Sequence, residues 1–220
     1  MRLQLTLDAL RLEDCLDLIL DTRDYVDVVE VGYPLLVEEG LSVVRHVKHA
    51  FPDKVVLADA KVFHSGGYVA RKCFDYGADA VSVLGLASNQ TFDAVLRVAE
   101  MMGRRVVGDL AGMEGPLCRA VELEALGVGE LVVPSGLGAD GHELSAVSDV
   151  GEEGAFAPLE LLRGLNKCLT SAQSAVVGHI GLDNIAQVVA AGPACVLVGR
   201  AIAQADDPRA AAARLKAQMA

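Results

Sequence analysis

Tryptophan is absent from this chain, and aromatic residues make up only 4 % of its 220 positions. A core built round large rings is therefore excluded. The 52 % apolar fraction must pack through Val, Leu, Ile and Ala, the composition of strands buried on both faces of a parallel sheet. Long apolar runs are missing too, and none could span a bilayer. The opening MRLQLTLD has no signal-peptide architecture, because a charged residue interrupts its short apolar segment. A soluble, cytoplasmic chain with no membrane partner is the expectation. Basic excess is also lacking. A formal net charge of −11 argues against a broad nucleic-acid surface, which needs clustered Lys and Arg. Any anionic substrate must then be captured by local donors against an unfavourable overall field. No CxxC pair occurs. Cys15, Cys73, Cys118, Cys168 and Cys195 are scattered and odd in number, which reads as buried reduced thiols rather than a disulfide frame or zinc site.

What is present is a regular alternation of short apolar runs with helix-period segments. Strands are expected at Leu3–Leu7, Val26–Val31, Val55–Ala58, Ala80–Leu84, Arg105–Gly108, Glu130–Val133, Ala175–Val177 and Cys195–Val198. Helices are expected at Leu12–Leu20, Pro34–Ala50, Gly67–Tyr76, Gln90–Met102, Pro116–Leu126, Leu159–Leu169, Asp183–Ala191 and Pro208–Met219. The pattern breaks only at Pro134–Pro158, a Gly-, Ser- and acid-rich stretch of the length expected for a lid, a binding loop or a disordered segment. Eight alternations without a linker fit a single α/β domain over residues 1–220, a (β/α)8 TIM barrel. A doubly wound open sheet is the alternative, but no GxGxxG follows the first strand.

The stretch KVVLADAKVFHSGG, Lys54 to Gly67, carries the first chemical signal. Period-two alternation sends Asp59 and Lys61 to one side of the strand end. Alone they read equally well as a surface ion pair. Other strands end the same way, with Asp8 after the first, Glu30 near the end of the second and Asp109 after the fifth. In such barrels chemistry lies at these C-terminal ends. Like charges gathered there raise each other's pKa unless a cation joins them. Lys61 supplies one positive charge, and a divalent ion on Glu30 and Asp59 would supply the rest; oxygen-only ligands favour Mg2+. Caps or turns explain Asp8 or Asp109 singly but not the set. Gly178-His179 and Gly199-Arg200 follow the seventh and eighth strands, the usual phosphate site of this architecture. The glycines there also suit plain tight turns. His46 and His49, near Arg45 and Lys48, read as a solvated helix face. His142 in the long loop is a further candidate.

These residues resemble the orotidine 5′-monophosphate decarboxylase suprafamily, in the branch of the 3-hexulose-6-phosphate synthases and 3-keto-L-gulonate-6-phosphate decarboxylases. The resemblance runs through MRLQLTLD, VDVVEVGYPLLVEEGL, VLADAKVFHSGGY, ADAVSVLG and VGRAIAQADDP. The opening octet and VSVLG lean toward the synthases, VGRAI toward the decarboxylases. It implies a homodimer with shared active sites that forms an enediolate of a phosphorylated ketose. Glu30 and Asp59 would bind Mg2+, with Lys61 as the stabilising ammonium. Asp8 and Asp109 would hold substrate hydroxyls, and Gly199 and Arg200 the phosphate. The implied reaction is the lyase or aldolase chemistry of ribulose 5-phosphate with formaldehyde. The alternatives are a carboxy-lyase, a diverged member with another phosphorylated substrate, or a non-catalytic phosphosugar-binding protein. Two positions depart from the pattern. His64 stands where the DxKxxD signature has its second aspartate, and Pro134-Ser135 where relatives commonly have a histidine. His64 is either a proton shuttle or a polar filler.

Overall fold

Every second residue of a strand points the same way, and this rule sorts the whole chain. The computed structural model describes residues 1–8, 11–134 and 159–220. Its strands are β1 (Arg2–Leu7), β2 (Val28–Val31), β3 (Val55–Val62), β4 (Ala80–Leu84), β5 (Arg105–Asp109), β6 (Glu130–Pro134), β7 (Gln173–Val177) and β8 (Cys195–Val198). All are parallel, each pairs with the next, and β8 returns to β1, closing the expected TIM barrel. Val28, Leu57, Ala80, Val107, Val132, Ala175, Cys195 and Leu197 point inward and fill the barrel as one apolar cluster. Their alternates, among them Leu3, Leu5, Leu7, Val29, Val56, Val81 and Leu131, join the larger core between strands and helices.

The helices are α1 (Leu12–Thr22), α2 (Tyr33–Glu39), α3 (Ser42–Ala50), α4 (Gly66–Asp75), α5 (Asn89–Met102), α6 (Pro116–Leu126), α7 (Glu160–Cys168), α8 (Ile185–Ala191), α9 (Arg200–Ala203) and α10 (Pro208–Gln218). Helix α5 shows how local chemistry sets the boundaries. Ser88 caps its start by accepting from the Thr91 N–H, and Gly103 ends it at φ +62°, a left-handed conformation that glycine adopts without strain. Its buried face is Phe92, Val95, Val98 and Ala99. Phe92 is fully buried, with the Arg119 guanidinium 5.5 Å from its ring centroid.

Some sequence expectations need correction. The single helix at Pro34–Ala50 is two helices, because Gly40 at φ +69° turns the chain between α2 and α3. Strand β3 runs on to Val62 rather than stopping at Ala58, with its register against β4 shifting between those residues. Three cysteines are buried as expected, but Cys118 and Cys168 are exposed. His46 and His49 lie on the exposed face of α3, as the charge pattern suggested. Beyond Pro134 the long-loop reading and His142 lie outside the described residues. Among the described residues no helix is long and apolar enough to cross a membrane.

Opposite the rim carboxylates, an ion pair lies at the bottom of the barrel, beside a second cavity of about 320 Å³. Arg2 meets Glu130 at 2.6 Å and also donates to Gln173. On the outside, Glu124 of α6 accepts from the backbone N–H groups of Thr170, Ser171 and Ala172 at 2.8, 2.6 and 2.7 Å, fastening the turn into β7. Those N–H donors, first Ala172 and then Ser171, hold its carboxyl well below the usual range, at about 2.

Two stability measurements check this account. Phe92→Ala should cost about 3–5 kcal/mol in urea unfolding, because the closed core cannot collapse onto the space left. Because the Glu124 pKa is depressed on folding, its contribution is present above about 4.5 and is lost as pH falls through about 2. Glu124→Gln should therefore be less stable than the parent near neutral pH, with the difference narrowing on acidification through that window.

Candidate active site

The end of β3 carries the centre of the site. Asp59 and Lys61 both face into a cavity of about 610 Å³ at the C-terminal mouth of the barrel. Lys61 sits at φ +43°, an uncommon conformation for a residue with a Cβ and one that gathers at functional sites. Ser82 of β4 holds it there. The Lys61 N–H donates to Ser82 Oγ at 2.9 Å, and that hydroxyl donates to Asp59 Oδ1 at 2.6 Å. One serine thus ties the backbone of the lysine to the side chain of the aspartate. The Lys61 ammonium lies 3.1 Å from Asp59 Oδ2 and 2.6 Å from Asp109 Oδ2. Burial works against its charge, but the Asp59 and Asp109 carboxylates outweigh burial and raise its pKa. It is a fixed positive charge and not a base at neutral pH.

Glu30 of β2 lies on the same wall. It pairs in register with Leu57, so Asp59 is one inward step further along the neighbouring strand. Only 7 % of each residue is exposed. Burial foremost, and then the Asp59 charge, push the Glu30 carboxyl up to about 8; the Gln4 hydrogen bond opposes this. A buried carboxyl in that state calls for additional positive charge, since Lys61 is already shared by two aspartates. Among the described residues no three His, Cys, Asp or Glu side chains form a metal-binding cluster. Two carboxylates facing an open cavity nevertheless suit Mg2+, which keeps several waters and uses one or two protein carboxylates. Glu30 and Asp59 fit that role, and their mutual repulsion supplies the drive.

The adjoining wall, from β8, β1 and the end of β2, is built for close approach. A Cβ on Gly199 would stand 2.4 Å from Thr6 Oγ1, and one on Gly32 would stand 2.0 Å from Asp8 Oδ1. A side chain at Gly32 would also meet the Leu7 carbonyl at 2.8 Å, and one at Gly199 would have to displace the Thr6 hydroxyl. Asp8, at the exposed rim, accepts from Thr6 Oγ1 at 3.4 Å. Arg200 opens α9 and lines the same cavity. His179, left-handed at φ +46°, places Nε2 2.9 Å from Arg200 Nη2, while its Nδ1 is buried without a hydrogen-bond partner.

The barrel thus brings Asp8, Glu30, Asp59, Lys61, Asp109, Gly199 and Arg200 to one cavity. His179 contacts Arg200, but neither it nor Gly178 nor His64 lines that cavity; His64 is exposed, its Nδ1 2.6 Å from Ser65 Oγ. Sequence reasoning missed Gln4, Thr6, Ser82 and the Tyr33 N–H, which donates to Asp59 Oδ2 at 3.3 Å. For three of these a signal existed: Gln4, Thr6 and Ser82 are polar residues at inward positions of otherwise apolar strands. The Tyr33 contact had none, because only the packing of α2 brings that N–H to β3.

Known proteins share both the sequence and this arrangement of strands. The 3-hexulose-6-phosphate synthase of Bacillus subtilis (strain 168) is 32 % identical over 216 residues, spanning 98 % of this chain and 97 % of that protein. The crystal structure of 3-hexulose-6-phosphate synthase from Salmonella typhimurium superposes with a TM-score of 0.89 at 32 % identity, covering 100 % of this chain and 98 % of that one. The fold is also that of 3-keto-L-gulonate-6-phosphate decarboxylase from Vibrio cholerae, with a TM-score of 0.82 at 23 % identity over 99 % and 96 % of the two chains. The family model that describes such barrels matches residues 1–215, so that nearly every element described above falls within it, and the chain belongs to the orotidine 5′-phosphate decarboxylase / HUMPS family.

Proposed function

We propose that this chain works as one cytoplasmic barrel domain, a Mg2+-dependent carbon–carbon lyase or aldolase of the 3-hexulose-6-phosphate synthase type. It would join ribulose 5-phosphate to formaldehyde through an enediolate. The observation that carries this reading is the Lys61 ammonium, held by Asp59 and Asp109 in the cavity that Glu30 and Arg200 also line. A positive charge set in place by its neighbours needs no reorganisation when an oxyanion develops beside it, which is where such groups lower a barrier most. Mg2+ on Glu30 and Asp59 would supply further stabilisation of the enediolate oxygens.

The remaining roles follow from position. Arg200, always charged and suited to bidentate contacts, would hold the substrate phosphate, and the bare backbone at Gly199 would let it approach. This local donor offsets the repulsive field of a chain with net charge −11. Asp8 and Asp109 would accept from substrate hydroxyls. We further propose a homodimer. Tyr33, Phe63 and Leu86, all large and about half exposed, follow β2, β3 and β4. His64 stands next to Phe63, where a second copy would bring it to the neighbouring cavity.

Incubation with ribulose 5-phosphate, formaldehyde and Mg2+ should yield the hexulose phosphate. Without formaldehyde, deuterium should enter at C1 of ribulose 5-phosphate in D2O. Absence of both condensation and exchange rejects the reading, whereas CO2 release from 3-keto-gulonate 6-phosphate would move the chain to the carboxy-lyase branch. Lys61→Met should lower kcat by about 10²–10³-fold in steady-state assays. A loss confined to KM would show that the ammonium only binds substrate.

A further inference from the structure

Gln4 stands out inside the barrel. It is only 1 % exposed and lies in register with Val28 of β2 and Leu197 of β8, at the level of the apolar cluster that fills the interior. An amide at that depth is costly unless its polar atoms are satisfied, and a leucine would fill the space without that cost. Both ends of the amide are used. Nε2 donates to Glu30 Oε2 at 2.5 Å, and Oε1 accepts from the Cys195 thiol at 3.7 Å. The Glu30 carboxylate decides which end of the amide faces it, because a flipped amide would set its oxygen against a carboxylate, and the Cys195 thiol steadies the other end.

The donors to the site carboxylates differ in kind. Asp59 and Asp109 are each held by the charged Lys61. Among the described residues Gln4 is the one side chain that hydrogen-bonds Glu30, and it carries no charge. A neutral donor orients a carboxylate without neutralising it, whereas Lys or Arg there would compete with a bound cation. Hydrogen bonds of this kind, one step behind a metal ligand, set its direction and strengthen its grip.

We propose that Gln4 is a positioning residue for cation binding: its amide, steadied by Cys195, pins one oxygen of Glu30 and leaves the other for a divalent ion held with Asp59. This rests on the proposed reading of Glu30 and Asp59 as metal ligands, and the test separates the two.

Gln4→Met keeps the shape and removes the donor. The readout is Mn2+ affinity, with Mn2+ as the spectroscopic substitute for Mg2+, from the paramagnetic resonance signal of the free ion in a titration of the full chain. The dissociation constant should rise about ten- to hundredfold, while the metal-free variant keeps a cooperative thermal transition, lowered because Glu30 has lost its donor. Cys195→Val, which leaves the donor but removes the contact that steadies the amide, should weaken Mn2+ binding in the same direction by less. It decides the matter should Gln4→Met not fold. Variants that bind Mn2+ as tightly as the parent overturn the role of Gln4 while the metal site stands. A parent chain that binds no Mn2+ overturns both.

Discussion

A single ammonium between two carboxylates organises the mouth of this barrel. Lys61 reaches Asp59 and Asp109, which come from β3 and β5, and Ser82 on the intervening β4 ties the lysine backbone to the same Asp59. Three neighbouring strands are thereby locked at their C-terminal ends by charge rather than by apolar packing. The lysine accepts a left-handed backbone to make this possible. Such strain persists only where the surroundings over-determine it, and here two aspartates and one serine do so. What remains uncompensated is Glu30, whose carboxyl is driven toward its neutral form by burial and by Asp59. The cavity gathers four carboxyl groups, Asp8, Glu30, Asp59 and Asp109, against Lys61 and Arg200, and this excess of acidic groups is the physical sense in which it suits a divalent cation.

The barrel makes this concentration of charge tolerable by layering its interior. Arg2 and Glu130 pair at the bottom, aliphatic side chains fill the middle, and the acidic residues line the open top. Each layer draws on inward positions of several strands, with β3 supplying both Asp59 and Lys61 to the top one. Gln4 is the exception that links two layers, an amide in the aliphatic zone reaching up to Glu30. Outside, the helices need only cover an aliphatic surface, which explains how so few aromatic residues suffice.

Much of the fold was legible because parallel strands buried on both faces read as short apolar runs, and all eight were found in order. Boundaries slipped where a local conformation overrode the pattern. Gly40 broke one helix into two, and the shift of β3 against β4 carried that strand past Ala58. The acidic rim was legible because its carboxylates recur at strand ends. Ser82 and Gln4 were passed over because a single polar residue within an apolar strand has no local signature of its task. Cys118 and Cys168 lie on exposed faces of α6 and α7, which their scattered spacing did not indicate. His64, adjacent to the charged motif in the chain, is exposed and does not line the cavity, since β3 ends at Val62 and the chain enters α4 at Gly66.

The order of strands, the aliphatic core and the list of charged residues at strand ends were determined by the sequence alone, since period-two alternation and the spacing of apolar runs are local properties of the chain. Which charges meet was decided only by closure of the barrel. Asp59 and Asp109 lie far apart along the chain and share one lysine because their strands flank β4. Gln4 and Cys195, at opposite ends of the chain, touch because β8 returns to pair with β1. Distances across a closed sheet follow from register and curvature, and neither is written in any one segment.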